Sequence, residues 1–139
     1  MPRVTDALAD PPVVIGPRDS LARAREVMAG VRVDHVVVVA GGCLVGFVAA
    51  ADLDGARPSP ATTLSAGEIQ TALHTIPVAM VMRDVPAVTV RTPLVEAGRL
   101  MRDGDLHALP VIQGETVLGI LSDLDLLAWV WEQAVDAAP

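Results

Sequence analysis

A hydroxyl and a carboxylate stand three residues apart near the end of the chain, at Ser122 and Asp125 in the stretch GILSDLDLL. The same frame occurs 73 residues earlier in GFVAAADLD, where Asp52 keeps the carboxylate and Ala49 replaces the hydroxyl. At the start of a helix, side chains with this spacing accept hydrogen bonds from the free backbone N–H groups, as in a capping box. The spacing therefore predicts two helix starts, and any further role for the carboxylates depends on their surroundings.

No other residues have the spacing of a catalytic or metal centre. The histidines, at positions 35, 74 and 107, are too far apart in sequence to suggest a metal site, and no cysteine cluster supports one. Cys43 lies in the turn sequence AGGC without a visible base, and there is no phosphate loop of the glycine-lysine type. We therefore expect neither an enzyme nor a metal site.

The composition limits the partners and the compartment. The chain has 139 residues and a formal net charge of −7, and all ten of its cations are scattered arginines. We expect no nucleic-acid partner, because phosphate binding needs clustered cations. No segment approaches the ~20 apolar residues of a membrane span, and the N-terminus does not resemble a signal peptide. Together with the single cysteine, these features predict a cytoplasmic protein without a membrane partner.

The apolar content is high and almost free of aromatic side chains. Hydrophobic residues make up 52% of the chain and aromatic residues 2%. The run HVVVVA (35–40) shows no alternation with polar residues, which is typical of a strand covered on both faces. A small chain this apolar is expected to cover part of its surface with a second copy, so we predict a homodimer.

The chain contains an internal repeat, because residues 21–55 align with residues 94–128 without a gap. The identical pairs are Leu21/Leu94, Ala24/Ala97, Met28/Met101, Val38/Val111, Gly41/Gly114, Gly46/Gly119, Asp52/Asp125 and Leu53/Leu126. Upstream, with the register moved by one, Val4, Asp10, Pro12 and Val14 fall on Val78, Asp84, Pro86 and Val88. Such a duplication predicts two similar half-units.

Each repeat predicts the order strand, helix, strand, strand, helix. The first strands are expected at 12–15 and 87–90, and the helices after them have Ser20 and Thr92 as predicted N-caps. Leu94, Ala97, Leu100 and Met101 recur at helical spacing and predict one apolar face. Strands at 109–112 and 117–121 are joined by the hairpin sequence QGET, and the last helix is expected to run from Ser122 toward Trp131.

A linker separates the two repeats. The stretch ARPSPATT (56–63) predicts a loop, and LSAGEIQTAL predicts a helix capped by Ser65 and Glu68. The sequence therefore divides into a first repeat at 1–55, a linker with a short helix at 56–77, and a second repeat at 78–139.

This duplicated β-α-β-β-α unit resembles a pair of CBS domains, the family named after cystathionine β-synthase. The likeness covers roughly 4–54 and 78–130, and VMRDVPAVTV, PLVEAGRLM and HALPVI…VLGILSDLDLL carry it in the second repeat. The first repeat is more divergent, since HVVVVA stands where a proline-bearing strand is expected. The resemblance implies an α/β (α+β) fold of two tandem CBS repeats packed with pseudo-twofold symmetry.

The resemblance also implies an adenosine-containing ligand (AMP, ADP, ATP or S-adenosylmethionine) in two clefts between the repeats. In this family the aspartate of the terminal motif commonly accepts hydrogen bonds from both ribose hydroxyls, and the Ser/Thr before it often contacts phosphate. A carboxylate suits a cis-diol because its two oxygens only accept, whereas the diol offers two donors. Each such charge-assisted bond contributes about 1.5–3 kcal/mol.

Carried onto this chain, the resemblance assigns candidate ligand-binding residues to each cleft. The first cleft would contain Ser122, Asp125, Val13, Val14, Asp34 and His35. The second cleft would contain Asp52, Val88, Thr89, His107 and Ala108. Many relatives have a His-Arg pair before the middle strand, and here neither repeat has an arginine there. This absence and the net charge of −7 favour AMP or S-adenosylmethionine over ATP.

Two functions of different classes fit these observations. The first is a stand-alone regulatory module that senses an adenosyl ligand, requires no cofactor and passes the signal to a separate effector protein. The second is a degenerate CBS pair that serves as a dimerisation or protein-interaction module without nucleotide. Ala49, Ala108 and the irregular first repeat favour the second.

Overall fold

A computed structural model describes residues 1–8, 11–55 and 63–138 of the chain. In chain order its helices and strands are α1 (Val4–Ala7), β1 (Val14–Ile15), α2 (Leu21–Val31), β2 (His35–Ala40), β3 (Cys43–Ala49), α3 (Ala50–Gly55), α4 (Ala66–Thr75), α5 (Leu94–Gly104), β4 (Ala108–Gln113), β5 (Thr116–Ser122) and α6 (Asp123–Ala137). A 3₁₀ turn lies at Val78–Met80. This mixed architecture confirms the predicted α+β class. The loop predicted at 56–63 lies, except for Thr63, outside the described residues.

The chain forms two compact units, one of residues Val13–Asp84 and one of Met1–Pro12 with Val85–Pro139. The boundaries of these units differ from those of the sequence repeats. Residues 1–12 belong to the unit that holds most of the second repeat, and residues 78–84 belong to the unit that holds most of the first. Each repeat therefore contributes its leading segment to the other repeat's unit.

Backbone hydrogen bonds hold these leading segments in place. In one unit the Val4 amide donates to the Thr92 carbonyl over 2.8 Å, and in the other the Val78 amide donates to the Asp19 carbonyl over 2.7 Å. Val4 and Val78 are aligned in the repeat, and both side chains are fully buried. The same kind of residue thus anchors each leading segment by burial of its side chain.

The unit Val13–Asp84 contains a three-stranded sheet in the order β1-β2-β3. Strand β1 runs parallel to β2, with Val14 opposite Val37, and β2 runs antiparallel to β3, with His35 opposite Ala49. The fully buried side chains of this sheet include Phe47, Val36, Val37, Val38 and Val48. The prediction that HVVVVA is covered on both faces is confirmed.

The other unit contains the two-stranded sheet β4-β5, in which Ala108 lies opposite Ser122. An isolated parallel bridge joins Val88 to Val111. The side chains with 0% exposure in this unit are Val4, Ala97, Leu109, Val111 and Leu121. The predicted apolar face of α5 is confirmed, since Leu94, Ala97 and Met101 are buried and Leu100 packs half-buried against the same core.

Irregular backbone features occur at equivalent positions of the two repeats. The antiparallel register shifts after Val38 in one hairpin and after its repeat partner Val111 in the other. Helices α2 and α5 both end at a residue in the left-handed region, Arg32 with φ of 60° and Asp105 with φ of 52°. Non-glycine residues rarely adopt this conformation, so its recurrence is strong structural support for the duplication.

Local capping predictions are mostly confirmed. The Ser20 hydroxyl accepts a hydrogen bond from the Arg23 amide over 3.0 Å at the start of α2. The Ser65 hydroxyl accepts from the Glu68 amide over 3.1 Å at the start of α4. These hydroxyls satisfy donors that the first helical turn leaves without partners.

The predicted cap at Thr92 is wrong. Helix α5 begins at Leu94 with Pro93 in the N-cap position and no side-chain cap. The Thr92 hydroxyl instead accepts a hydrogen bond from the Thr89 amide over 3.0 Å. The turn that precedes the helix thus takes the oxygen that the cap would need.

Several element boundaries differ from the sequence prediction, and β4 and β5 are each one residue longer at both ends than the predicted strands. Strand β1 has only Val14–Ile15 rather than 12–15, and the strand expected at 87–90 is reduced to the single bridge at Val88. Helix α6 continues to Ala137, beyond the expected end near Trp131. Element ends are set by tertiary packing as well as by local propensity, which explains differences of this size.

Gly46 lies on β3 directly below the Met82 side chain. A Cβ atom built at Gly46 would be 2.6 Å from the Met82 Sδ and 3.0 Å from the Met82 Cβ. We expect Gly46→Ala to lower the free energy of unfolding by about 1–3 kcal/mol, because overpacking forces a shift of Met82 or of the strand. Urea denaturation measures this change.

Gly30 in α2 provides the matched control, since an added Cβ there meets no atom within 4 Å. Gly30→Ala should stabilise the protein by roughly 0.5–1 kcal/mol through the unfolded chain. Adding Met82→Ala to Gly46→Ala should recover part of the lost stability. Equal effects of the two glycine substitutions would contradict the close packing at Gly46.

Candidate functional site

The junction between β5 and α6 holds the hydroxyl–carboxylate pair in a fixed geometry. The Ser122 hydroxyl accepts from the Asp125 amide over 3.1 Å, and the Asp125 Oδ2 accepts from the Ser122 amide over 2.9 Å. The predicted capping box is therefore confirmed. Among the described residues no donor is paired with the Asp125 Oδ1 and no cation forms an ion pair with this carboxylate. The half-buried side chain thus keeps acceptor capacity for a further partner.

His107 and Ala108 lie at the same junction. Ala108 faces Ser122 across the hairpin, and the Asp123 amide donates to the His107 carbonyl over 2.8 Å. The His107 Nδ1 is 2.9 Å from the Asp123 Oδ2. Four of the sequence-predicted site residues, Ser122, Asp125, His107 and Ala108, therefore converge where α6 begins.

Val88 and Thr89 lie in the same unit, before α5. Val88 is buried, and both of its backbone groups are engaged, the amide with Pro110 and the carbonyl with Ile112. Thr89 is exposed, and its hydroxyl accepts a hydrogen bond from the Arg91 amide over 3.2 Å. Of the two, Thr89 presents polar atoms at the surface.

The junction between β3 and α3 repeats the geometry of the second repeat. The Asp52 Oδ2 accepts from the Ala49 amide over 2.9 Å, and the Ala50 amide donates to the Asp34 carbonyl over 2.8 Å. Both distances equal those at the β5–α6 junction. Because Ala49 has no hydroxyl, only the carboxylate half of the capping box is present here.

Arg83 is a residue of this junction that the sequence prediction missed. Its amide and carbonyl form antiparallel hydrogen bonds with Phe47, of 2.9 and 3.0 Å. Its Nε is 3.2 Å from the Asp52 Oδ1 and 3.3 Å from the Asp52 Oδ2. Arg83 is 31 residues from Asp52, so no local pattern could reveal the pair.

Val13, Val14 and His35 belong to the same unit as Asp52. The Val37 amide donates to the Val13 carbonyl over 2.9 Å, and Val14 is 48% exposed although it lies in β1. The His35 ring lies 5.5 Å from the Phe47 ring, with a tilt of 32°. His35 occupies the position in β2 that Ala108 occupies in β4.

A groove of about 440 Å³ lies between α2 and α3 of this unit. Met28, Val33 and Leu53 supply apolar lining, and an Arg25–Asp54 ion pair of 2.8 Å lies at its edge. Of the residues singled out from the sequence it includes Asp34, but neither Asp52 nor His35. The groove therefore borders the junction through Asp34 and Ala50, although the Asp52 carboxylate does not line it.

The described residues include neither a metal-binding cluster nor a helix suited to a membrane crossing. No group of three or more His, Cys, Asp or Glu side chains is arranged to hold a metal ion within 1–8, 11–55 and 63–138. No described helix combines the length and apolar character that a membrane crossing requires.

Comparison with known proteins places both repeats in one family. The model of the CBS domain matches residues 4–58 and 78–132. An uncharacterised protein of Methanocaldococcus jannaschii is 28% identical over 134 residues, which cover 92% of this chain and 32% of that protein. The chain thus spans about a third of the length of this curated relative.

Solved structures share the architecture over nearly the whole chain. A structure from Vibrio cholerae named as an acetoin utilization protein (AcuB) has a TM-score of 0.78 and 26% identity, and the match covers 100% of this chain and 99% of that one. A CBS domain protein from Pyrobaculum aerophilum complexed with AMP has a TM-score of 0.75 and 22% identity, covering 96% and 98%. The CBS domain pair of protein MJ0100, in complex with 5′-methylthioadenosine and S-adenosylmethionine, has a TM-score of 0.77 and 20% identity, covering 94% and 97%. At these identities the last two matches show the fold alone.

The contact between His107 and Asp123 makes a prediction about pH. Its hydrogen bond, and then the negative charge of Asp123, raise the pKa of His107 above the ordinary value of 6.5. The pair therefore stabilises the folded state below pH 6.5, and this contribution is lost as the pH rises through the higher folded-state pKa. An NMR titration of the imidazole protons should show the raised pKa in the wild type.

Asp123→Asn should return the His107 pKa toward 6.5, because it removes the charge from the contact. Asp136→Asn makes the same charge change at the far end of α6 and should leave the raised pKa of His107 unchanged. A His107 midpoint that does not respond to Asp123→Asn would exclude the ion pair as its cause.

Proposed function

The chain belongs to the CBS domain family, and from this premise we propose that it is a regulatory module that binds an adenosyl ligand through the carboxylate of Asp125. The supporting observation is that Asp125 is held by the capping box while its Oδ1 has no partner among the described residues. Two donors of a ribose cis-diol match this acceptor-only group. The relatives solved with AMP and with S-adenosylmethionine support an adenosyl compound as the ligand class.

The polar groups near Asp125 support a ligand of low negative charge. Asp123 adds a second carboxylate in the same helical turn, and the whole chain carries a net charge of −7. The positive end of the α6 dipole favours one anionic group. We therefore propose AMP or S-adenosylmethionine rather than ATP as the ligand.

Further contacts remain proposals from the family resemblance. Ser122 would meet a phosphate, as its hydroxyl lies at the start of α6 beside Asp125. Val13, Val14 and His35, which the resemblance also assigns to ligand binding, belong to the other unit and stay predictions.

The proposed mechanism is regulation rather than catalysis. A ligand that binds one arrangement of the module more tightly than another shifts the population toward that arrangement. A separate effector protein would read this shift. The proposal requires no chemical step, and we assign no residue a catalytic role.

Asp125→Asn tests the proposed ligand site while preserving the helix cap. The asparagine oxygen can still accept from the Ser122 amide, whereas the charge and the second acceptor are lost. Loss of two charge-assisted bonds, of about 1.5–3 kcal/mol each, should weaken binding at least 100-fold. A thermal-shift panel of AMP, ADP, ATP, S-adenosylmethionine and NADH should raise the Tm of the wild type by several degrees but not that of the variant.

Asp136→Asn is the matched control, since it changes the same charge on the same helix and should keep the ligand-induced rise in Tm. No rise for the wild type with any compound would contradict sensing of this panel. An unchanged rise in Asp125→Asn would exclude Asp125 as the ribose acceptor.

The outward face of α6 favours a second role in assembly. Leu124, Leu127, Trp131 and Val135 recur every three or four residues and are 70%, 63%, 69% and 53% exposed. The opposite face of the helix packs against its own unit through Trp129, which is half-buried. An apolar stripe of this kind is typical of an interface, and we propose that a second copy of the chain covers it.

Trp131→Glu tests this homodimer, because a charge in the centre of an apolar interface lacks a partner and opposes association. Multi-angle light scattering should give the dimer mass for the wild type and the monomer mass for the variant. Gln133→Glu adds the same charge at a position of α6 outside the apolar stripe, and this variant should still form the dimer. A monomeric wild type, or a dimeric Trp131→Glu, would contradict the proposed interface.

A further inference from the structure

We propose that the ion pair with Arg83 prevents Asp52 from binding a ribose diol. Each chain would then bind one adenosyl ligand, at Asp125. This inference rests on the proposed function. It adds the number of ligands bound per chain and the residue that determines this number. The resemblance to the family assigns both carboxylates to ligand clefts. The side chains around the two carboxylates differ, so the two carboxylates are not equally available to a ligand.

The backbone does not account for the difference. Asp52 and Asp125 each accept a hydrogen bond of 2.9 Å through Oδ2 from the amide three residues earlier. Each lies in the first turn of the helix that follows the hairpin. The two carboxylates are therefore held by the same local interaction, and any difference in ligand binding must come from neighbouring side chains.

The neighbouring side chain at Asp52 is the Arg83 guanidinium. Its Nε lies 3.2 Å from Oδ1 and 3.3 Å from Oδ2, so it engages both oxygens that a diol would use. The Arg83 backbone is paired with Phe47 in both directions, which keeps the arginine beside β3. The Asp52 side chain is only 18% exposed.

A ribose could reach Asp52 only by replacing a charged donor with neutral hydroxyls. Both kinds of hydrogen bond are charge-assisted because the acceptor is a carboxylate, but only the guanidinium adds the attraction of a full positive charge. The exchange would also leave the guanidinium without its partner. At Asp125 no described cation stands in the way, so the diol meets an available acceptor.

The sequence carries the same asymmetry. In the register that places Asp84 on Asp10, Arg83 falls on Ala9, so the second frame has no arginine at the equivalent position. Ala49 falls on Ser122, so the first frame also lacks the capping hydroxyl. Of the differences between the two frames, the arginine is therefore the one that occupies the carboxylate.

Isothermal titration with AMP and, separately, S-adenosylmethionine tests the stoichiometry. The wild type should bind one equivalent per chain, and Asp125→Asn should bind none. Two equivalents in the wild type, or one equivalent remaining in Asp125→Asn, would overturn the single-site inference and leave adenosyl binding itself intact. No heat with either compound would overturn the proposed function and this inference together.

The double variant Ala49→Ser/Arg83→Ala gives the first frame the second frame's side chains at these two positions. We expect its stoichiometry to rise from one toward two equivalents per chain. Ala49→Ser/Arg23→Ala removes one arginine from an exposed position of α2 in the same unit and should stay at one. If the Arg83 variant folds, by circular dichroism, and also stays at one equivalent, Arg83 is not the residue that closes the site.

Discussion

The hydrogen bond from the last strand residue to the carboxylate three residues later determines the geometry of both junctions. It forms between Ser122 and Asp125 in one unit and between Ala49 and Asp52 in the other, at 2.9 Å in each. It satisfies a backbone amide that the first helical turn leaves without a partner. It also fixes the carboxylate rotamer before any ligand arrives, so less conformational entropy is lost on binding. A local capping interaction thereby prepares a recognition group.

Duplication preserved the buried positions more closely than the junctions. Val38 and Val111 are aligned and fully buried, and Ala24 and Ala97 are likewise aligned and fully buried. A change at such positions leaves a cavity or overpacks the core, which costs stability directly. Residues 49 and 122 lie at half-buried positions, where alanine can replace serine at the cost of one cap. The loss of the hydroxyl at position 49 therefore lies where ligand recognition is proposed.

The parts of the fold that depend on nearby residues could be predicted from the sequence. The caps at Ser20, Ser65 and Ser122 are contacts over three residues, and the apolar face of α5 follows from helical periodicity. The prediction at Thr92 was wrong because its hydroxyl accepts from the Thr89 amide instead of an amide of the first turn of α5. Sequence spacing alone does not determine which of these donors the hydroxyl accepts from. The helical spacing of Leu124, Leu127 and Trp131 could have identified the outward stripe of α6.

The contact that distinguishes the two carboxylates depends on tertiary structure instead. Arg83 belongs by sequence to the start of the second repeat, yet it packs in the unit of the first, 31 residues from Asp52. Only the exchange of leading segments between the units brings it there. The family resemblance therefore assigns Asp52 and Asp125 the same role, although their electrostatic surroundings differ.

Helix α6 connects the proposed ligand site with the proposed interface. Its first turn contains Asp125, and its outward face carries Trp131 two turns later. A helix transmits a displacement of its N-terminus along its axis, because its backbone hydrogen bonds make it stiff compared with a loop. A ligand held at Asp125 would therefore act on the proposed interface without a separate relay of side chains. In the first repeat the carboxylate that follows the hairpin is already paired with Arg83. This difference supports the proposal that the second repeat carries the sensing role.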